Sequence, residues 1–268
     1  MRRALFLFAM LLNTGLLGGC GTLPNGRQWG QDATLFPGWD RIRQAATSAA
    51  FAPETWVPAV GAAVLTVGEM DENLADWAAD HTPVFGSQTG AERASDRLRD
   101  ATAAAYLITA LATPSGDESQ EWLVAKLKGI AVGTAAASLT YKVTDFLKDQ
   151  TERTRPDGSD NRSFPSAHAS IAASFATLAS RNLNSLPLTH RTRCFLRVSF
   201  TSLAAGTAWG RVEAKRHYPS DVLAGYAVGH FLSAFINDAF LGVDRLEDPW
   251  FALGTSKQGI TLSVYWAF

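Results

Sequence analysis

Three short polar clusters, each at the end of an apolar stretch of helical length, constrain this chain more than any other feature. Lys148 ends one stretch and is followed, after six residues, by Arg155-Pro156; Pro165-Ser166-Ala167-His168 opens the next; Arg211, His217 and Asp221 surround the turn before a third. The stretches are 39–49, 58–68, 71–80, 91–113, 121–148, 165–182, 192–209 and 219–241. Apolar residues recur along them at helical spacing, and Pro, Gly or polar turn residues bound them, which predicts packed helices. At 268 residues, 47% hydrophobic and 18% charged, the chain suits one domain with a substantial core. Its net charge of −1 gives no support for nucleic-acid binding.

Together the clusters put two histidines, an aspartate and three cations within reach of one phosphate-sized site. A phosphoryl group in transfer carries its charge on equatorial oxygens, so positioning and electrostatic stabilisation dominate its chemistry. Lys148, Arg155 and Arg211 are candidates for a phosphate-binding cage, with Ser166 adding a hydroxyl. Pro165 and Pro219 both suit the first position of a helix whose free N–H groups point at an anion. His217 is the candidate nucleophile. Asp221, four residues later in the first turn of the following helix, can reach back to one ring nitrogen and fix the tautomer. No acidic residue lies close in sequence to His168, which is assigned as the acid that protonates the leaving oxygen and then activates water. No metal motif is present, and no metal or cofactor is expected. Taken singly, Lys148 and Arg155 read as solvated loop charges, His168 as a core histidine and Asp221 as an ordinary first-turn carboxylate. Their joint occurrence, in order, favours one site.

These residues resemble the type 2 phosphatidic acid phosphatase superfamily, which also holds bacterial non-specific acid phosphatases and vanadium haloperoxidases. Its pattern is K-x6-R-P, P-S-G-H and S-R-x5-H-x3-D; here the corresponding runs are K-D-Q-T-E-R-T-R-P, P-S-A-H and G-R-V-E-A-K-R-H-Y-P-S-D. The resemblance covers about 58–240. It implies an all-α fold, a helical bundle of the phosphatase/haloperoxidase kind, and a metal-independent phosphatase working through a phospho-histidine on phosphate monoesters or lipid (di)phosphates. The alternatives are a vanadate-dependent haloperoxidase and a non-catalytic envelope lipoprotein. Two departures stand out: Ala167 replaces a glycine, which a helical position tolerates, and Gly210 replaces a serine, removing one phosphate hydrogen bond worth about 1.5–3 kcal/mol.

The ends of the chain read differently. Arg2-Arg3, an apolar stretch at 4–12 and Leu17-Gly18-Gly19-Cys20 resemble a lipoprotein signal, implying cleavage after residue 19 and lipidation of Cys20. The expected organisation is a signal peptide at 1–19, a tether and N-terminal segment at 20–50, a helical phosphatase domain at 51–245 and a β-hairpin tail at 246–268. Residues 21–37 read as a tether, and Cys194 as a small apolar filler. The expected location is the cell envelope, lipid-anchored at the periplasmic face of the outer membrane. Within the body, 130–141, 163–180 and 222–237 fall short of the roughly 20 apolar residues of a membrane span and read as buried bundle helices. Residues 259–268 alternate with period two and can pair with 250–255, predicting a hairpin that packs on the helices.

Overall fold

In a computed structural model of the chain, residues 21–23, 26–242, 251–256 and 259–264 are described. Among them are eight α-helices, which we number α1 (Trp39–Phe51), α2 (Pro53–Val67), α3 (Asp71–His81), α4 (Gln88–Ala112), α5 (Ser119–Thr151), α6 (Ala167–Asn182), α7 (His190–Glu213) and α8 (Pro219–Ile236). Local chemistry sets several starts. Ser87 caps α4 by accepting from Gly90 N, Thr189 caps α7 by accepting from Thr192 N, and Pro53 and Pro219 open α2 and α8. Helix α2 begins five residues before the expected Pro58, which lies inside it; α1 and α2 meet at a 51° bend. Pro165 does not open α6. The helix starts at Ala167 with Ser166 as its cap.

Helix α6 is the hub. Ala169, Ala172, Ala173 and Ala179 have no exposed surface, and α4, α5, α7 and α8 all pack on this helix. Small side chains let backbones approach, and the approach is closest against α8. A Cβ added at Gly225 would lie 2.5 Å from Ser166 O, and one at Gly229 would lie 2.0 Å from Ser170 O. One turn further, Ser174 Oγ and Ser233 Oγ hydrogen-bond at 2.5 Å. Aromatic knobs use the same device on α5: Tyr106 of α4 fills the space above Gly133, and Trp29, from ahead of α1, fills that above Gly129.

Trp29 also overturns the reading of 21–37 as a tether. It is 1% exposed; its N–H donates to Pro114 O at 2.8 Å, and Gly116 N donates to Gly21 O at 2.8 Å. The segment is a strap over the α4–α5 turn. Lys126, buried beneath it, donates to Ala110 O at 2.7 Å and Thr113 Oγ1 at 2.8 Å, and its ammonium lies 5.2 Å from the Trp29 ring centroid. It thereby satisfies α4 C-terminal acceptors that would otherwise be orphaned. Cys194 is exposed rather than a core filler, with Sγ 3.4 Å from His190 Nε2. Cys20 lies outside the described residues.

Two further expectations need correction. The fold class is all-α, and the C-terminal hairpin is not part of it. Residues 251–256 and 259–264 run antiparallel as an isolated two-stranded ladder, a unit that is marginal by itself in water, while the packed body is helical throughout. Nor is α5 simply a buried bundle helix. It is long and apolar enough to cross a membrane, and 39% of its most apolar window is buried. Leu123, Leu127, Leu139 and Phe146 of α5 are exposed, as are Val57, Val60, Val64 and Val67 of α2. Periodicity over 33 residues gave no single apolar stripe, because Gly129 and Gly133 rather than bulky residues face the neighbours.

The α6–α8 contact is directly testable. Gly229→Ala should cost about 1–3 kcal/mol by overpacking, lowering Tm by roughly 3–10 °C in a thermal melt followed by circular dichroism. Gly38→Ala, with nothing within 4 Å of the added carbon, should leave Tm unchanged.

Candidate active site

The expected residues arrive at one end of the bundle from four helix termini. Lys148 lies in the last turn of α5, Ser166 and His168 at the start of α6, Arg211 in the last turn of α7 and Asp221 in the first turn of α8; Arg155 and His217 occupy the intervening loops. The α6–α8 seam fixes two of these starts against each other, since Ser166 N donates to Asp221 O at 2.9 Å. Ser166 Oγ accepts from Ala169 N at 3.5 Å. One lone pair serves the cap, and the proton remains to donate to another acceptor.

His217 is buried. Its Nδ1 lies 3.7 Å from Asp221 Oδ2, an ion-pair distance longer than a hydrogen bond, and has no hydrogen-bond partner. Its Nε2 lies 3.4 Å from Arg155 Nη1. Burial pushes the imidazole down to about 4, opposed by Asp221 and reinforced by Lys148 and Arg155. Asp221 is wholly buried and accepts from Arg153 Nη1 at 2.7 Å, Ser163 Oγ at 2.5 Å and Tyr218 N at 2.8 Å. Burial works to raise its pKa, but His217, Ser163 and Arg153 together hold it below the usual carboxylate value.

On the other side, His168 Nε2 lies 2.8 Å from Asp96 Oδ1 and 2.8 Å from Arg99 Nη1. One nitrogen cannot serve both at once. Protonated, it donates to Asp96; unprotonated, it accepts from Arg99. Burial, then Arg211, brings this imidazole down to about 4 against the pull of Asp96. The two histidines are linked electrostatically through cations: Arg155 acts on His217 and Arg211, and Arg211 acts on His168.

Those cations are themselves under stress. Burial, with Arg155 nearby, lowers Lys148 to about 8, although its Nζ donates to Arg162 O at 2.5 Å. Burial lowers Arg211 to about 10 despite Glu92, whose Oε1 lies 3.9 Å from Nη1. Arg211 Nε is buried with no hydrogen-bond partner. Arg155 reaches Asp160 Oδ1 at 2.7 Å and Arg216 O at 3.2 Å. A buried cluster with this much positive charge and an unpaired guanidinium nitrogen is chemically suited to an anion.

Local sequence gave no hint of Ser163, Asp71, Asp96, Arg99 or Glu92. Asp96 and Arg99 lie on α4, 72 and 69 residues from His168, so only the packing of α4 on α6 reveals them. Arg153 had a weak signal, alternating with Arg155 in the same loop. Gly210 is also explained. A Cβ there would lie 2.9 Å from Ala91 O and 3.0 Å from Ser95 Cβ, so the position is a close-packing contact between α7 and α4. Its neighbour Glu213 is buried and accepts from Val84 N at 2.9 Å and Phe85 N at 3.0 Å, pinning the turn before α4. Ala167 is helical, as expected.

Comparison with known proteins agrees with the motif reading. The sequence model of the PAP2 superfamily matches residues 126–241, the stretch that carries the three clusters. Among solved structures, the first transmembrane PAP2 type phosphatidylglycerolphosphate phosphatase from Bacillus subtilis is similar at 17% identity and a TM-score of 0.42, over 72% of this chain and 95% of that one. No curated protein matches.

Two outcomes are expected. Gly210→Ser should lower Tm, because the serine must displace the backbone of α4. Stability should also fall on acidification from pH 6.5 towards 4. His168 and His217 stay neutral in the folded chain down to about 4, and His230, lowered by burial and then Arg181, down to about 3. The unfolded chain takes up protons near pH 6.5, so it is favoured across that window. A Tm that stays level from pH 7 to 4.5 in calorimetry would contradict this.

Proposed function

We propose that the chain is a phosphatase that hydrolyses phosphate monoesters or lipid (di)phosphates through a phospho-histidine. The match of 126–241 to the PAP2 superfamily supports phosphatase activity in general. The observation that carries the reading at this site is the buried, under-neutralised cation cluster of Lys148, Arg155 and Arg211 beside His217, with Arg211 Nε unpartnered. A phosphate dianion supplies the charge and acceptors that this cluster lacks.

In the proposed cycle Asp221 holds the proton on His217 Nδ1, and the Nε2 lone pair attacks phosphorus. The N–P bond forms as the P–O bond to the leaving group breaks, and the equatorial oxygens are held by Lys148, Arg155, Arg211 and the Ser166 hydroxyl. His168, oriented by Asp96 and Arg99, gives its proton to the leaving oxygen. The same nitrogen then takes a proton from water as the water oxygen attacks phosphorus. Inorganic phosphate leaves and His217 is regenerated. His168 is neutral near pH 7 without substrate; an adjoining phosphate dianion raises its basicity, so anion binding and proton uptake are coupled.

The substrate would be a phosphorylated lipid or small phosphate ester. A lipid on Cys20 would tether the body at 51–245 to the envelope, and a periplasmic outer-membrane address goes with that anchor. The exposed apolar residues of α2 and α5 support membrane association independently of it.

The test is phosphate release from p-nitrophenyl phosphate and from phosphatidic acid in detergent micelles. Wild type should release phosphate and be inhibited by vanadate. His217→Ala should abolish release, Arg211→Ala should lower kcat by about 100- to 1,000-fold, and His168→Ala should accumulate an acid-labile phosphoprotein. No release by wild type from either substrate would refute the reading.

A further inference from the structure

Asp221 is more heavily engaged than the support of one histidine requires. Arg153 Nη1 occupies Oδ1 at 2.7 Å, while Ser163 Oγ and Tyr218 N occupy Oδ2 at 2.5 and 2.8 Å. His217 Nδ1 stands off from the same Oδ2 at 3.7 Å. Arg153 is in turn fixed from three directions. Its Nη2 donates to Asp71 Oδ2 at 2.9 Å, Nη1 also donates to Ser220 Oγ at 2.8 Å, and the guanidinium lies 4.1 Å from the Tyr218 ring centroid. Asp71, the first residue of α3, also accepts from Ser220 N at 2.9 Å and from Ser220 Oγ. One planar fork thus joins α3, the 152–166 loop and the start of α8, and it divides its charge between two buried carboxylates.

We propose that Arg153 is a positioning residue: by sharing its guanidinium between Asp71 and Asp221 it sets both the orientation of Asp221 and how much of that carboxylate's charge reaches His217. Arg153 is not among the motif residues of the three clusters, and its side-chain hydrogen bonds go to Asp71, Ser220 and Asp221. The charged groups facing His217 are Lys148 from α5, Arg155 from the loop and Asp221 from α8. Only Asp221 is negative, so whatever draws on its charge weakens the one group that favours imidazolium. Asp71 is the counterweight, because it holds part of the guanidinium away from Asp221.

The role in turnover rests on the phosphatase reading, but the effect on the imidazole does not, and the two are measured separately. In full-length protein with 15N-labelled histidine, the His217 pKa is read by NMR titration. Arg153→Gln should raise it by about one unit or more and Asp71→Asn should lower it, because removing one guanidinium or one competing carboxylate changes the charge on Asp221 in opposite senses. Arg153→Lys keeps the charge but cannot fork between two carboxylates. It should lower kcat by about a hundredfold with KM and vanadate inhibition within threefold of wild type.

If Arg153→Gln does not fold, Asp71→Asn alone decides the charge argument. A His217 pKa that is unchanged or raised in Asp71→Asn overturns the proposal. So does full activity in Arg153→Lys, or a loss shared equally between kcat and vanadate affinity. Wild type that titrates as expected but releases no phosphate would refute the phosphatase reading and leave the link between Arg153 and His217 standing.

Discussion

Everything at the site depends on how closely α8 lies on α6. Gly225 and Gly229 bring the helix to the carbonyl oxygens of Ser166 and Ser170 with no room for a methyl group, and Ser166 N bonds Asp221 O across the same seam. Two helix starts are thereby locked at backbone distance. Backbone contacts position more firmly than long side chains, because no rotamer freedom remains to be lost. The seam places an α6 histidine and an α8 carboxylate in fixed relation, although the two glycines that permit it carry no functional group.

On that rigid platform the charges are arranged in opposition. Asp221 and Asp71 are saturated by Arg153, Ser163 and backbone N–H groups, whereas Arg211 retains an unpaired nitrogen and Lys148 is held down to about 8. Burial is costly for both signs. The negative side is compensated internally and the positive side only in part, since Arg155 pairs with Asp160 while Arg211 Nε has no partner; that imbalance is chemically suited to an anion. The histidines are depressed first by burial and then by the neighbouring cations, which a bound negative group would offset.

Much of this was legible in the sequence. The helices followed from apolar spacing and turn residues, and the three clusters were found because each sits at a helix end with a recognisable spacing. Spacing reports only neighbours along the chain. Asp96 and Arg99 meet His168 across helices, so nothing near residue 168 signals them. The strap looked like a linker because its most deeply buried described side chain, Trp29, depends on a groove made by Gly129, about a hundred residues away. The C-terminal alternation had the period of a strand without the neighbouring strands that would make a sheet. Gly210 read as a lost hydrogen-bond donor; in three dimensions it is a packing contact, a distinction that motif comparison alone does not draw.

The strap has a consequence for where the molecule can work. Gly21 is held against Gly116, just ahead of the first residue of α5, while Lys148 lies near the opposite end of that helix, about 40 Å along its axis at 1.5 Å per residue. Whatever joins the chain ahead of Gly21 therefore does so at one end of α5, while His168 and His217 lie at the other. The separation is comparable to the thickness of a bilayer with its headgroups. A mooring on residue 20 would hold His217 a membrane's breadth from its own attachment point unless the long axis lay flat or entered the lipid.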